Sequence, residues 1–408
     1  MDRRKATCIY PSSFAQAKRL AKKFAENLVA VFPDSDGKAY PAPVGDFQRP
    51  RRRVNGHREA AEAAVRAAFP AVRVVEHYPP PPPVDTRRRV EAIGNLEGGA
   101  RVLGGGRDLG FVAVYFNPCG YAAPRRNFRA FLERFRWMEG RLLVVELAYG
   151  DKPFELTGAA VNLLQLRSDS VLWHKENLIN IGTQILRERG FKHVGWLDGD
   201  TIINGDGEGW YYQACKALRR KKLVQLCEWI EHRYSDRVIR QQAGVANYLT
   251  NDIPVGKVYK TGLGWAVRGD IWDRCGWYDM AIMGSGDRML FLASVLPPDD
   301  LADVAQKITQ LKSDSCALLE FSAWAEGWQR AVGRSVAYLP GVEAVGEAHG
   351  AHAHRQYYQR ELELKASGFS PRKHLARDEN GLLCWSADAP ESLRQMLVDY
   401  FANRKEDE

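Results

Sequence analysis

The segment Gly195-Trp196-Leu197-Asp198-Gly199-Asp200-Thr201-Ile202-Ile203-Asn204 decides how this chain is read. An apolar run ends in two carboxylates one residue apart, which is how a buried strand of a parallel sheet delivers acidic groups to its carboxyl edge. If the backbone stays extended there, Asp198 and Asp200 face the same way, and Gly199 leaves room for a ligand between them. Two hard oxygen donors beside an open position suit Mg²⁺ or Mn²⁺, which share coordination with phosphate oxygens. An EF-hand loop is excluded, because Ile202 and Ile203 stand where an oxygen ligand and a glycine are needed. Asp and Gly are equally good turn-formers, so the pair by itself reads both ways.

Working outward, short apolar strands alternate with amphipathic helices from Phe111 onward: strand 111–116, helix 127–137, strands 142–147 and 163–166, helix 174–189 and strand 193–197. This alternation predicts an α/β domain with a mainly parallel sheet covered by helices on both faces. A helix over 208–221, a buried strand over 223–227, a helical stretch over 300–333 and a polar tail are expected to follow.

The first 78 residues read as a small α/β module, with strands at 6–10, 28–32 and 72–75. Residues 79–109 read as a linker: Pro79 to Pro83 exclude a helix or central strand, and a glycine cluster follows without the GxGxxG spacing of a dinucleotide site. The expected organisation is therefore a basic module at 1–78, a Pro/Gly/Arg-rich linker at 79–109, the α/β domain at 110–385 and a C-terminal helix or tail at 386–408.

The 408 residues carry 58 Lys+Arg and 50 Asp+Glu, a net charge of +8. Residues 1–110 hold 20 Lys+Arg against 12 Asp+Glu, so the whole excess sits in the first quarter. Clustered cations such as Arg51 to Arg53 and Arg87 to Arg89 attract polyanions regardless of sequence, although charged faces are also simply solvated. The seven cysteines show no CxxC spacing, which argues against a disulfide framework or a zinc knuckle. No apolar run is long enough for a membrane span or signal peptide, so a cytoplasmic protein of a bacterial or phage-infected cell is expected.

The segments FVAVYFNPCGY (111–121), VVELAYGDKPFEL (144–156), LRSDSVLWHKENLIN (166–180), WLDGDTIIN (196–204), TGLGWAVRGDIWDRCGWYDMAIMGSGDRM (261–289) and HGAHAHRQYYQR (349–360) together resemble a glycosyltransferase family of the GT-A fold found in phages and bacteria. The resemblance implies a Rossmann-like domain over about 111–385, a UDP-sugar donor, and Asp198-Gly-Asp200 as a DxD motif holding Mn²⁺ or Mg²⁺. It also implies a C-terminal histidine as a further metal ligand. His349 matches by position, with His352 and His354 as competitors.

Arg355, Tyr357 and Arg360 follow at a spacing consistent with one polar face, on which Arg355 suits a bidentate clamp on the diphosphate, and all three read equally well as structural. Trp173, Lys175, Glu176 and Asn177 fall at a helix start at the expected donor edge, with Lys175 or Arg167 placed to offset diphosphate charge. Asn117 and Glu146 are implied contacts to base or ribose, while Gly262, Gly264 and Trp265 match the segment lining the sugar. Asp287 is implied as the general base, although its place before an apolar helix is also that of an N-cap. Trp265 reads equally well as core.

A phage-like sugar transferase with a basic N-terminal arm suggests a DNA acceptor, a hydroxymethylated pyrimidine such as 5-hydroxymethylcytosine, reached by groove entry or base flipping. The rivals are transfer to a surface glycan, lipid or protein, a sugar nucleotidyltransferase, and a catalytically silent nucleic-acid-binding protein. Against the nucleotidyltransferase stands Asn117-Pro-Cys-Gly-Tyr121, where a Gly-rich basic loop would be needed.

Overall fold

The computed structural model describes residues 7–9, 28–30, 108–156, 162–204, 208–250, 260–297, 300–301 and 316–408. Near the start, β1 (Thr7–Ile9) and β2 (Leu28–Ala30) pair in parallel, where the sequence predicts strands. The remaining expectations for residues 1–107, including the linker and the basic blocks, lie outside the described residues.

The main sheet has seven strands. In chain order these are β3 (Leu109–Phe116), β4 (Leu142–Tyr149), β5 (Asn162–Ser168), β6 (His193–Leu197), β8 (Leu223–Gln225), β11 (Gly264–Arg268) and β12 (Val336–Tyr338). Their spatial order is β12-β8-β11-β6-β3-β4-β5. Only β11 runs against its neighbours; the pairings β6–β3, β3–β4, β4–β5 and β12–β8 are parallel.

Alternate residues of β3 feed two cores, one on each face of the sheet. Phe111 and Ala113 join Phe128, Phe131 and Trp210 on one face. Val112 joins Ile179, Ile185, Trp196 and Trp265 on the other. This period of two, with both faces apolar, is what a doubly covered parallel sheet requires.

A second sheet combines β7 (Thr201–Asn204), β9 (Trp229–Arg233), β10 (Val238–Gln242) and β13 (Glu343–Gly346), in the spatial order β10-β9-β13-β7. It grows from the acidic segment itself, since β7 starts where the turn after β6 ends. A short hairpin of β14 (Leu375–Arg377) and β15 (Leu383–Trp385) completes the strands.

One boundary differs from expectation: the first helix of the domain is Ala122–Arg134 and starts five residues early, with Tyr121 before it. Of the helical stretch predicted over 300–333, the described helix Cys316–Val332 agrees with the expectation. The C-terminal helix expected within 386–408 is Glu391–Ala402, and its Leu393, Leu397, Tyr400 and Phe401 are buried in the main core. Its apolar positions at i, i+4, i+7 and i+8 are a core-facing stripe.

Candidate active site

In an open α/β sheet, ligands collect at the carboxyl ends of the strands where the strand order reverses. Here that point lies between β3, which continues to β4 and β5 on one side, and β6 on the other. A cleft of about 680 Å³ opens there, lined from β3 and its loop by Tyr115 and Asn117, and from β6 by Asp198, Gly199 and Asp200.

The acidic segment does not stay extended. Thr201 N–H donates to the Asp198 carbonyl at 3.0 Å, so Asp198 to Thr201 form a β-turn. The turn chemistry and the candidate ligand role are thus combined, and the two carboxylates diverge. Asp198 Oδ1 pairs with Lys175 Nζ at 2.6 Å, and its Oδ2 accepts the Leu263 N–H at 3.1 Å. Leu263 holds φ at 76°, a left-handed conformation costly for a branched residue, and this turns its amide onto the carboxylate. Asp200 Oδ2 instead lies 3.0 Å from His349 Nε2.

Gly199 also makes room for the core: a Cβ there would overlap the Phe128 ring.

Sheet register brings His349 to Asp200 across 149 residues. β13 pairs antiparallel with β7, Gly346 opposite Thr201, and the next residue, Glu347, donates its N–H to the Asp200 carbonyl at 2.9 Å. His349 follows two residues later. Its rivals are placed otherwise: His352 lines the cleft mouth against Tyr234, with ring centroids 4.9 Å apart, and His354 does not line the cleft.

The electrostatics of the site follow from burial and close pairing. Burial opposes the charge of Asp200, but the His349 hydrogen bond, reinforced by His232 and Arg355, holds its carboxyl down to about 2. Burial pushes Asp198 up, and Lys175 counteracts this. Burial also works against the Lys175 ammonium, yet Asp198, Asp287 and Glu176 outweigh it and hold it above its usual range. Glu176, fully enclosed beside them, is pushed by burial to about 8 and is neutral at pH 7. His232, on β9, is driven by burial to about 3 and is also neutral.

Across the cleft, Asp287 lies in the first turn of the helix Gly286–Val295, with Ser285 as the preceding cap residue. The N-cap expectation for Asp287 is therefore off by two residues. Its Oδ2 accepts the Thr261 hydroxyl at 3.3 Å, and a Cβ at Gly262 would sit 3.1 Å from Asp287 Oδ2 and 3.6 Å from Asp198 Oδ2. Bare backbone at Gly262 thus separates the two carboxylates and leaves both accessible from the cleft.

The cationic wall comes from the chain's last third. Arg355 and Arg404 flank Glu406, Arg360 donates to the Tyr400 and Ser285 hydroxyls at 2.8 and 2.9 Å, and Trp173 stacks on Phe401 under the Arg404 guanidinium. Arg355 and Arg360 each keep a buried Nε without a partner in the structure. Tyr357, half exposed, closes the wall and lies 3.4 Å by its hydroxyl from that of Tyr234.

The cleft therefore collects Asn117, Trp173, Lys175, Glu176, Asp198, Asp200, Asp287, His349, Arg355, Tyr357 and Arg360 from five separate stretches of sequence. Five expected residues do not reach it. Glu146 is central in β4 rather than at its end, and its carboxylate is used by the N–H groups of Glu155 and Leu156 and by Gln165. Arg167 binds the carbonyls of Gly150 and Lys152 and covers Phe154. Asn177 faces the β14–β15 hairpin, bonding Gly381 and Leu383.

Gly264 and Trp265 lie within β11, one layer below the cleft. Gly264 is packed between Leu197 and Leu226, and Trp265 is fully buried with its Nε1–H on the Thr261 carbonyl at 2.7 Å. The segment just before β11 lines the cleft: the expected Gly262, together with Thr261 and Leu263. The sequence reading missed Arg404 and Glu406, which resemble a solvated charged tail, and Lys260 and His232, for which no spacing gives a signal.

Among the described residues no group of three or more His, Cys, Asp or Glu side chains is assembled to hold a metal ion by itself. The Asp200–His349 pair nonetheless fits a divalent cation, since an oxygen and an imidazole nitrogen face each other at 3.0 Å on the cleft wall. A cation with two or three protein ligands that completes its shell with phosphate and water needs no more than this.

These features define a class: an α/β domain with a charged cleft at the switch point of a mainly parallel sheet. No protein-family model matches the chain, and no curated protein matches it. Among solved structures it is similar to mannose-1-phosphate geranyltransferase from Thermus thermophilus, at 12% identity and a TM-score of 0.27, covering 59% of this chain and 74% of that one. It is also similar to residues 1–349 of S. aureus TarS, at 12% identity and a TM-score of 0.33, covering 74% of this chain and 88% of that one. At these scores neither likeness bears on what the site does. No helix among the described residues is long and apolar enough to cross a membrane.

Proposed function

We propose that this protein is a metal-assisted glycosyltransferase of the GT-A type that moves a hexose from a UDP-sugar to an acceptor hydroxyl. One observation carries the reading: Asp200 and His349, a group of buried arginines, and Asp287 line a single cleft at the sheet's switch point. Asp200 and His349 would hold Mn²⁺ or Mg²⁺, which supplies Lewis-acid stabilisation of charge on a leaving diphosphate. Arg355 and Arg360 line the same cleft, and guanidinium planes suit phosphate oxygens.

Lys175 pairs with Asp198 and opposes the effect of burial on its carboxyl. Asp287 is the candidate base on the opposite side; its carboxylate can take a proton from an acceptor hydroxyl lying over Gly262.

The acceptor we propose is a hydroxymethylated pyrimidine in DNA. The positive charge of residues 1–110 supports a polyanionic partner, and the half-exposed Tyr357 lines the cleft as an aromatic surface that suits a flat base. Incubation with UDP-glucose, Mn²⁺ and hydroxymethylated DNA should release UDP and add a hexose to the nucleoside, read by mass spectrometry. Release of UDP with glycan, lipid or protein acceptors but never with DNA would keep the transferase and remove the DNA acceptor. No UDP release from any donor would remove the transferase.

A further inference from the structure

We infer that Glu406 is a positioning residue for His349, holding the imidazole so that Nε2 is presented to a divalent cation at Asp200; the inference rests on the metal-assisted reading of the cleft. His349 lies between two carboxylates, with Nε2 3.0 Å from Asp200 Oδ2 and Nδ1 3.0 Å from Glu406 Oε1. A cation between Nε2 and Asp200 requires the Nε2 lone pair, which leaves the single ring proton on Nδ1. Glu406 stands where that proton must be accepted. A carboxylate behind a ligating histidine fixes both the tautomer and the ring plane.

The carboxylate is itself firmly held. Arg404 Nε donates to Glu406 Oε1 at 2.8 Å, Arg355 approaches the same oxygen at 3.3 Å, and Arg355 also donates to the His349 carbonyl at 2.9 Å. Arg404 is fixed in turn by the Tyr400 hydroxyl at 2.9 Å and by its place over the Trp173 ring.

The stretch of chain bearing Glu406 is tied down on both sides. Asp407 accepts the N–H groups of Ala122 and Ala123 at 2.9 and 2.7 Å, capping a helix from outside its own sequence. The Tyr121 hydroxyl donates to the Ala402 carbonyl at 2.6 Å and accepts the Lys405 N–H at 3.2 Å. Residues that read as a charged tail thus set the orientation of a side chain more than fifty positions earlier.

The test is binding of Mn²⁺ alone and of Mn²⁺ with UDP to the full chain, followed by the electron paramagnetic resonance of the free ion, with thermal unfolding as a folding check. Glu406→Ala should weaken Mn²⁺ binding by about 10–100-fold, the usual cost of losing such a support. Glu406→Gln keeps an acceptor but loses the charge and should fall between. Asp407→Ala loosens the same segment without touching His349, and should lower the unfolding temperature while leaving Mn²⁺ affinity in place.

Folded Glu406 variants that bind Mn²⁺ as the wild type does would overturn the inference. So would an Asp407→Ala loss as large as that of Glu406→Ala. If Glu406→Ala does not fold, Glu406→Gln decides alone, with wild-type affinity counting against the inference. Failure of the wild type to take up Mn²⁺ even with UDP would instead remove the metal-assisted reading.

Discussion

Replacing Glu176 by glutamine should change how stability depends on pH, in a direction the structure fixes. The side chain is 5% exposed and lies against Gly286 at the start of the helix carrying Asp287. Burial raises its carboxyl to about 8 from an ordinary 4.5, with Asp287 adding to the rise and Lys175 opposing it. Between those two values the folded chain keeps a proton that the unfolded chain has lost. The unfolding free energy therefore falls as pH rises, by at most about 1.4 kcal/mol per pH unit from this group, and a few kcal/mol over the whole interval.

The Glu176→Gln side chain has nothing to titrate. In urea unfolding at pH 5, 6.5 and 8 with chelator present, this variant should match or fall slightly below the wild type at pH 5 and gain on it steadily toward pH 8. Taking the difference between the two proteins cancels every other titrating group. Parallel stability profiles across this range would refute the assignment of a buried, neutral Glu176.

Four further outcomes are expected. Asp200→Asn should abolish most Mn²⁺-dependent UDP release and lower the unfolding temperature while the chain still folds, and equal turnover would remove Asp200 from the chemistry. Asp287→Asn should lower kcat by about 10²–10⁴-fold with the donor KM nearly unchanged, as loss of a general base does; a rise in KM alone would mark it as a binding residue. Gly199→Ala should cost about 1–3 kcal/mol of stability in urea titration, because its methyl group overlaps Phe128. Arg404→Ala should cost about 3–5 kcal/mol, because it strands the nearly buried Glu406, and an unchanged midpoint would show that Arg355 suffices.

Much of this architecture is legible in the sequence because it rests on local pattern. The alternation of apolar strands and amphipathic helices gives the sheet, and an apolar strand ending in Asp198-Gly-Asp200 gives the position of the cleft. Segment resemblance brings His349, Lys175, Asp287 and Arg355 onto the page.

What local pattern does not carry is the direction of a side chain or a contact across the whole chain. Glu146 and Trp265 sit within a few residues of true lining positions, but strand alternation turns one toward a loop and buries the other. Asp198 and Asp200 converge only if the backbone stays extended, and the β-turn separates them. Glu406 and Arg404 follow a run of ordinary helix and look solvated, yet Tyr121 and the helix Ala122–Arg134 fold them back onto the site, a pairing that no periodicity encodes.

The central claim is that Asp200 and His349 hold a divalent cation beside a nucleoside diphosphate in the switch-point cleft. A crystal structure of the full chain grown with Mn²⁺ and UDP, using the anomalous signal of manganese, tests it most directly. The account predicts one manganese peak within coordination distance of Asp200 and His349 Nε2, with the diphosphate between it and the arginine wall. Manganese elsewhere on the chain, or UDP bound outside the cleft, would contradict it.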